Sequence, residues 1–337
     1  MKRFTAMLLI LTMAIVFAAC SNNVENDAAT EDAADDDTVI LRLGHIQSEN
    51  DLWHEGSLKF KEEVESLSDG KMTVEIYPNS SLGGDRDMVE SMQSGTVDFA
   101  LVAGVLGNFS PSIQLLELPY LFADEEEYRT VIHGEIGEEI IDRVLEDSDV
   151  RILEFWDRGP RHVTANKPIE TLDDIKGLKI RLPEIKAMEA TWKEMGASPT
   201  TMAWDEVYTA LDQNVIEAQE NPIPFIYGGA IHEVQDYLSL TAHKYEYVTL
   251  AMSDLTWNKL TEEQQEIISE AAKIATDYEN ELVAEQTEEL LQEMENEGLT
   301  VVEPDIDEFA EAARDAHEEV AKTIDIDLYN RILEELK

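Results

Sequence analysis

A chain of 337 residues has room for about two domains, and a hydrophobic content of 43% is enough for ordinary cores. With 73 acidic against 25 basic residues the formal net charge is −48, which excludes a nucleic-acid partner, because phosphates need Lys and Arg, and excludes docking on anionic lipid through the protein surface. So large an acidic excess points to a salt-adapted protein, in which screening by ions relieves the self-repulsion.

Residues 1–19 read as a signal peptide. Lys2 and Arg3 form a basic start, and Met7 to Phe17 is an apolar run too short to make a good spanning helix. The run ends in Phe17-Ala18-Ala19-Cys20, which resembles a bacterial lipobox, so Cys20 is expected to be lipidated and to become the mature N-terminus. The alternative is a plain signal peptide with an incidental cysteine. Cys20 is the only cysteine, which excludes an intrachain disulfide and a cysteine-based metal site. Residues 20–37 are rich in Asn, Asp, Glu and Ala; they carry too little apolar surface to offset their ordering entropy and read as a flexible, lipid-anchored acidic tether.

The folded part starts at Thr38. Val39 to Leu43 alternates as a strand and runs into a loop carrying His45 and Gln47. A helix is predicted over 53–66 and a strand over 72–77, ended by Pro78. Asn79-Ser80-Ser81-Leu82-Gly83-Gly84-Asp85-Arg86 then opens a helix, with glycines that permit a tight turn. A strand over 95–103, a helix over 125–145 and a strand over 151–156 follow. Leu116 to Phe122 reads as pocket wall or plain core, with core favoured.

Gly177-Leu178-Lys179-Ile180-Arg181-Leu182-Pro183 reads as a buried strand holding one cation: Ile180 and Leu182 alternate with charged residues and Pro183 stops the run. Arg181 thus lies at a strand's carboxyl end, where open α/β sheets present ligand-binding groups, and its planar fork suits a carboxylate. The competing reading is a structural Arg paired with an acid. Helices over 188–195 and 204–212 and a strand over 247–252 continue the alternation, which argues for parallel or mixed sheets covered by helices. Thr261-Glu262-Glu263-Gln264 fits a capping box, and the helical spacing behind it persists almost to Gly298, a helix of roughly 50 Å at 1.5 Å per residue.

The stretch from Trp156 to Asn221 resembles the DctP family, the extracytoplasmic solute receptors of TRAP transporters. The resemblance rests on Gly159-Pro160-Arg161, Asn166-Lys167-Pro168-Ile169, the Asp174 to Pro183 run, Gly196-Ala197-Ser198-Pro199, the Trp204 to Leu211 run and Gln219-Glu220-Asn221-Pro222, in that order and spacing; it extends over nearly all of the chain after residue 38. It implies an α/β, two-lobed periplasmic-binding-protein-like fold with a hinge and a long helix spanning both lobes. The lobes are expected at 38–156 with 247–280, and at 157–246 with 281–337. By the same resemblance Arg181 makes the carboxylate salt bridge, Arg161 supports it from an adjacent strand, Asn221 binds the same end of the ligand and Trp204 closes one wall. Asp85 and Arg86 face the ligand from the other lobe, and His45 and Gln47 are also placed at the pocket.

Glu184, directly after Pro183, is read as facing the ligand's distal groups, where it would repel a second carboxylate but accept hydroxyls; pointing to solvent is the alternative. This favours a sugar acid such as a uronate or aldonate, with a C4-dicarboxylate as the other option. Ala103 stands where sialate-binding relatives carry a Glu, which argues against sialate. The expected partners are the small carboxylate, TRAP membrane permease subunits and the membrane through the anchor at Cys20, with the protein a monomer on the outer face of the cell membrane or periplasmic. No cofactor or metal is expected: the histidines lack metal-ligand spacing, and no Gly-x-Ser-x-Gly elbow occurs. The competing functions are a secreted lipoprotein hydrolase or lyase acting on acidic sugars, and a ligand-sensing module for a receptor.

Overall fold

The computed structural model describes residues 38–337; the expected signal peptide, Cys20 and the tether lie outside the described residues. Nine strands among the described residues form one mixed sheet: β1 (Val39–Gly44), β2 (Met72–Tyr77), β3 (Phe99–Val102), β4 (Val150–Ala165), β5 (Ile180–Leu182), β6 (Thr200–Thr201), β7 (Ala218–Pro222), β8 (Tyr237–Ser253) and β9 (Thr300–Val302). The order is β2-β1-β3-β8-β4-β7-β5-β6, with β9 against β8. Strand β1 runs parallel to β2 and β3, and β5 runs parallel to β6 and β7.

Two long antiparallel strands join these parallel groups. β4 has 16 residues and β8 has 17, and they pair from Val150↔Ser253 to Ala165↔Tyr237. One end of β8 pairs with β3 and the far end of β4 pairs with β7, so the same two strands serve both halves of the sheet. They are much longer than the expected strands at 151–156 and 247–252. The expected strand ended at Trp156, just short of Gly159-Pro160, a pair that marks a turn in most sequences; β4 absorbs it in bulges between Asp157 and Gly159 and between Arg161 and Val163.

Apolar packing follows the two halves. The largest cluster gathers Leu43, Phe60, Phe99, Trp156 and Met252 around β1, β3 and the near ends of β4 and β8. Leu116, Leu118, Leu121 and Phe122 are part of it, as plain core. Two further clusters lie around the second group, one with Ile180, Leu182 and Trp192, the other with Val207, Ile226 and Leu238. The long helix is Glu262–Glu297, 36 residues, capped by Thr261 and Gln264 as the capping box predicts and ended by Gly298 at a φ of 115°. Its Ile268, Ala271 and Ala275 enter the first cluster and its Met294 the third, so one helix spans both halves. The expected helix over 125–145 is two, Glu125–Ile132 and Glu135–Ser148, turned at Gly134. At Gly137 a Cβ would lie 2.0 Å from the carbonyl of Ile132, so only glycine permits so tight a turn between them.

Candidate functional site

Between the two groups of strands lies a small chamber of about 30 Å³, opening into a cleft of about 210 Å³. The chamber is lined by Asp85, Arg158, Arg161, Arg181, Trp204 and Asn221, among others, so it collects residues from both sequence halves. Of the residues expected at the site, Arg181, Arg161, Asn221, Asp85 and Trp204 meet here. Arg86 and Glu184 line only the outer cleft. His45 and Gln47 do not line either space. They are buried, with His45 Nε2 3.1 Å from His54 Nδ1 and the Gln47 side-chain nitrogen without a partner. A loop position after β1 fixes where these residues start, not where their side chains turn.

Arg181 sits on β5, whose parallel neighbours hold its backbone. Its Nε and Nη2 both donate to the carbonyl of Met202, at 3.1 and 2.7 Å, which fixes the plane of the fork. Nη1 has no acceptor among the described residues. The residue is 4% exposed, and its guanidinium lies 5.8 Å from the Trp204 ring centroid. Burial pulls its pKa down to about 10, against the pull of Glu220. An Arg that is buried, still charged and incompletely bonded is prepared for an anion.

Arg161 is different. Its Nη2 donates to Glu220 at the carbonyl (2.7 Å) and at Oε1 (2.8 Å), its Nε to Glu220 Oε2, and its Nη1 to Glu246. Burial opposes the charge, but Glu220 and Glu246 outweigh it and hold the pKa above its ordinary value. The bonding continues. Lys244 Nζ lies 2.9 Å from Glu246 and 2.9 Å from Glu117, Tyr247 donates to Glu117 at 2.7 Å, and His243 meets Glu220 at 2.9 Å. Glu246 is held down to about 2: burial would raise it, but Lys244, Arg161 and Arg158 prevail.

Arg158 was missed by the sequence reading. It occupies the bulge between Asp157 and Gly159, and Gly159 takes a φ of 73°. In a regular strand residues three apart face opposite ways, yet Arg158 and Arg161 line the same chamber, because the bulge redirects the chain. The Arg158 guanidinium lies over two rings, 4.7 Å from the Trp53 centroid and 4.2 Å from that of Phe225. Among the described residues its one ion-pair contact is Glu246 at 3.9 Å, beyond hydrogen-bond reach, and its Nη2 is buried without a partner. Burial lowers its pKa to about 10. The only sequence signal was an Arg beside a Gly-Pro pair, which does not reveal a bulge.

Asp85 begins the helix Asp85–Gln93 and faces the arginines. Its Oδ1 is shielded and unbonded. Burial raises its pKa to about 7, with Arg158 and Arg181 pulling the other way. Asn221 is buried on β7 and donates to Gln219 Oε1 at 2.7 Å. Trp204 packs on Phe225 at 4.3 Å between centroids and lies against Gly229, where a Cβ would come within 2.4 Å of the indole. At the mouth Arg86 and Glu184 approach to 3.5 Å, both about half exposed. Among the described residues no cluster of His, Cys, Asp and Glu has the arrangement to hold a metal ion.

Comparison with known proteins places this geometry. Residues 43–323 match the model of the bacterial extracellular solute-binding proteins, family 7, DctP. A solute-binding protein of Roseobacter denitrificans is 39% identical over 289 residues, covering 86% of this chain and 89% of that protein. Among solved structures, a TRAP periplasmic solute-binding protein of Roseobacter denitrificans with bound L-galactonate is similar at 37% identity with a TM-score of 0.84, covering 89% of this chain and 99% of that one. Another, from a Polaromonas species and bound to D-erythronate, is similar at 33% identity with a TM-score of 0.83, covering 87% and 98%.

Proposed function

The chain belongs to the DctP family, the family 7 bacterial extracellular solute-binding proteins, and from that premise we propose that its ligand is a hydroxylated monocarboxylate of the aldonate or uronate class. The protein is an extracytoplasmic solute receptor of the TRAP type, binding a small organic acid carboxylate and working with membrane permease components. The observation that carries the ligand reading is the chamber itself: Arg181 with an unused Nη1, beside Asn221, at the closed end of a polar cleft. The carboxylate takes that end, and the rest of the molecule extends past Ser80, Asp87 and Asp205 into the outer cleft. The bound aldonates of the Roseobacter and Polaromonas proteins support the same class. Arg161 holds Glu220 and through it the strand on which Asn221 stands.

The site performs no chemistry in this reading, and the competing hydrolase or lyase is distinguished by turnover. The two lobes close about β4 and β8, with the helix Ile326–Glu335 packed on the first lobe through Leu328 and Ile332. Anchoring through Cys20 and a monomeric state complete the proposal; a diacylglyceryl group is needed because one acyl chain holds weakly. Among the described residues no helix is long and apolar enough to cross a membrane. Calorimetry with L-galactonate, galacturonate and succinate tests the class. Sugar acids should bind, unchanged after incubation; tighter binding of succinate than of either sugar acid overturns the ligand class, and product formation overturns the receptor.

A further inference from the structure

We propose that Arg158 and Asp85 together read the hydroxyl next to the ligand's carboxylate, so that within the sugar-acid class the receptor prefers 2-hydroxy acids, the aldonates, over cyclic uronates. The inference rests on the carboxylate reading above and adds a specificity that no comparison assigns. Two shielded polar atoms face the chamber without partners: Arg158 Nη2, which can only donate, and Asp85 Oδ1. A single hydroxyl satisfies both. Its oxygen accepts from Arg158 and its hydrogen goes to Asp85. A buried donor and a buried acceptor left unmade are costly, so the oxygen that closes this gap is strongly selected.

Position follows from size. A water needs roughly 10–15 Å³ of such volume. A chamber of about 30 Å³ therefore takes little more than a carboxylate and its neighbouring atoms. Arg181 and Asn221 take the carboxylate, and what remains within reach of Arg158 and Asp85 is the substituent on the adjacent carbon. A second carboxylate there accepts from Arg158 but brings no hydrogen to Asp85 Oδ1. Arg158 is free for this task because two adjoining aromatic rings, Trp53 and Phe225, hold it, where Arg161 is held by carboxylates. Its loss also leaves Glu246 paired, to Arg161 and Lys244.

The test is calorimetry with L-galactonate and with D-erythronate, each against its 2-deoxy analogue. Wild type should prefer each hydroxy acid by roughly tenfold or more, the factor that a hydrogen bond to a charged group corresponds to. Arg158→Met keeps the side chain's length against the two rings and removes its donors and charge. Both kinds of acid lose the charge's attraction, so the readout is the ratio within the variant: the preference for hydroxy over 2-deoxy acid should shrink to roughly threefold or less, a coupling that general damage to the fold does not produce. Should Arg158→Met fail to fold, the wild-type preference and its loss in Asp85→Ala, which removes the acceptor, decide. Equal binding of hydroxy and deoxy acids by wild type overturns the Arg158–Asp85 assignment and leaves the receptor reading intact. Absence of binding by all four acids overturns the aldonate class and, with it, the Arg158–Asp85 assignment.

Discussion

Arg161 and Arg181 are both almost fully buried and line the same chamber, yet they occupy opposite chemical states. The Arg161 region is complete: Glu220, Glu246, Lys244, Glu117, Tyr247 and His243 form a continuous bonded chain beneath the cleft. The Arg181 region is incomplete, with unused donors on Arg181 and Arg158 and an unused acceptor on Asp85. Burial alone therefore does not mark a binding residue; an unspent hydrogen bond that faces the chamber does. The complete region holds β4, β7 and β8 in register, and the incomplete region is finished by a ligand.

The sharpest way to break this distinction is to truncate each arginine. Arg161→Ala takes from Glu220 its main partner and leaves Glu246 to Lys244 in the interior, a change that costs about 3–5 kcal/mol of folding stability. Thermal and denaturant unfolding should show that loss, and Arg181→Ala should show much less of it. If Arg161→Ala melts like wild type, the chain beneath the cleft is not structural.

Next in size is the binding side of the comparison. Arg181→Lys keeps the charge but replaces a fixed fork with a rotatable point donor, and the cognate acid should bind more weakly by about 1.5–3 kcal/mol. Its melting temperature without ligand should stay near wild type. Normal affinity in Arg181→Lys, with affinity lost in Arg161→Lys, would move the carboxylate anchor to the other arginine.

The halves of this comparison were unequally legible in the sequence. Arg181 was readable because its strand is local: two apolar residues alternate with charges and a proline stops the run. Asn221 and Trp204 came through the family's motifs. The bonded chain was not readable, because Arg161 meets Glu246 across 85 residues of sequence and charges on strands ordinarily read as solvent-facing. Arg158 was hidden by its bulge, since period-two reading sends it away from Arg161. The long helix was legible from its cap and spacing, whereas the continuity of β4 was concealed by Gly159-Pro160.

A third experiment uses pH, on which Glu246 and Asp51 depend with opposite sign. Glu246 is held at about 2 against an ordinary value of 4.5, so its contribution is present above 4.5 and is lost as pH falls toward 2. Asp51, buried under Arg158 and capping the helix Leu52–Leu67, is raised to about 7 by burial. Its contribution is complete below 3.8 and is lost as pH rises through 7. Asp85 and Glu279, also raised by burial, act in the same direction. Asp51→Asn keeps the cap and removes the charge, so stability near pH 8 should rise by an amount on the order of 1–3 kcal/mol, the scale of desolvating one polar group. A wild-type melting curve that does not fall between pH 5 and 8 would remove Asp51 from this balance.

The smallest effect is expected at the rim, where Glu184 was first read as the group that turns away a second carboxylate. Its carboxylate lies 3.5 Å from Arg86, both side chains are about half exposed, and Arg86 also faces Glu90 at 3.6 Å. An exposed pair of this kind contributes only about 0.2–1 kcal/mol, and its charges largely cancel at the distance of a ligand in the chamber. Glu184→Gln should therefore change the affinity for a sugar acid by no more than that, and should leave succinate as poor a ligand as before. A gain of tenfold or more in succinate affinity, about 1.4 kcal/mol, would return selection to the rim. Otherwise the choice between one carboxylate and two lies deeper, at Asp85, where the acid is shielded from water.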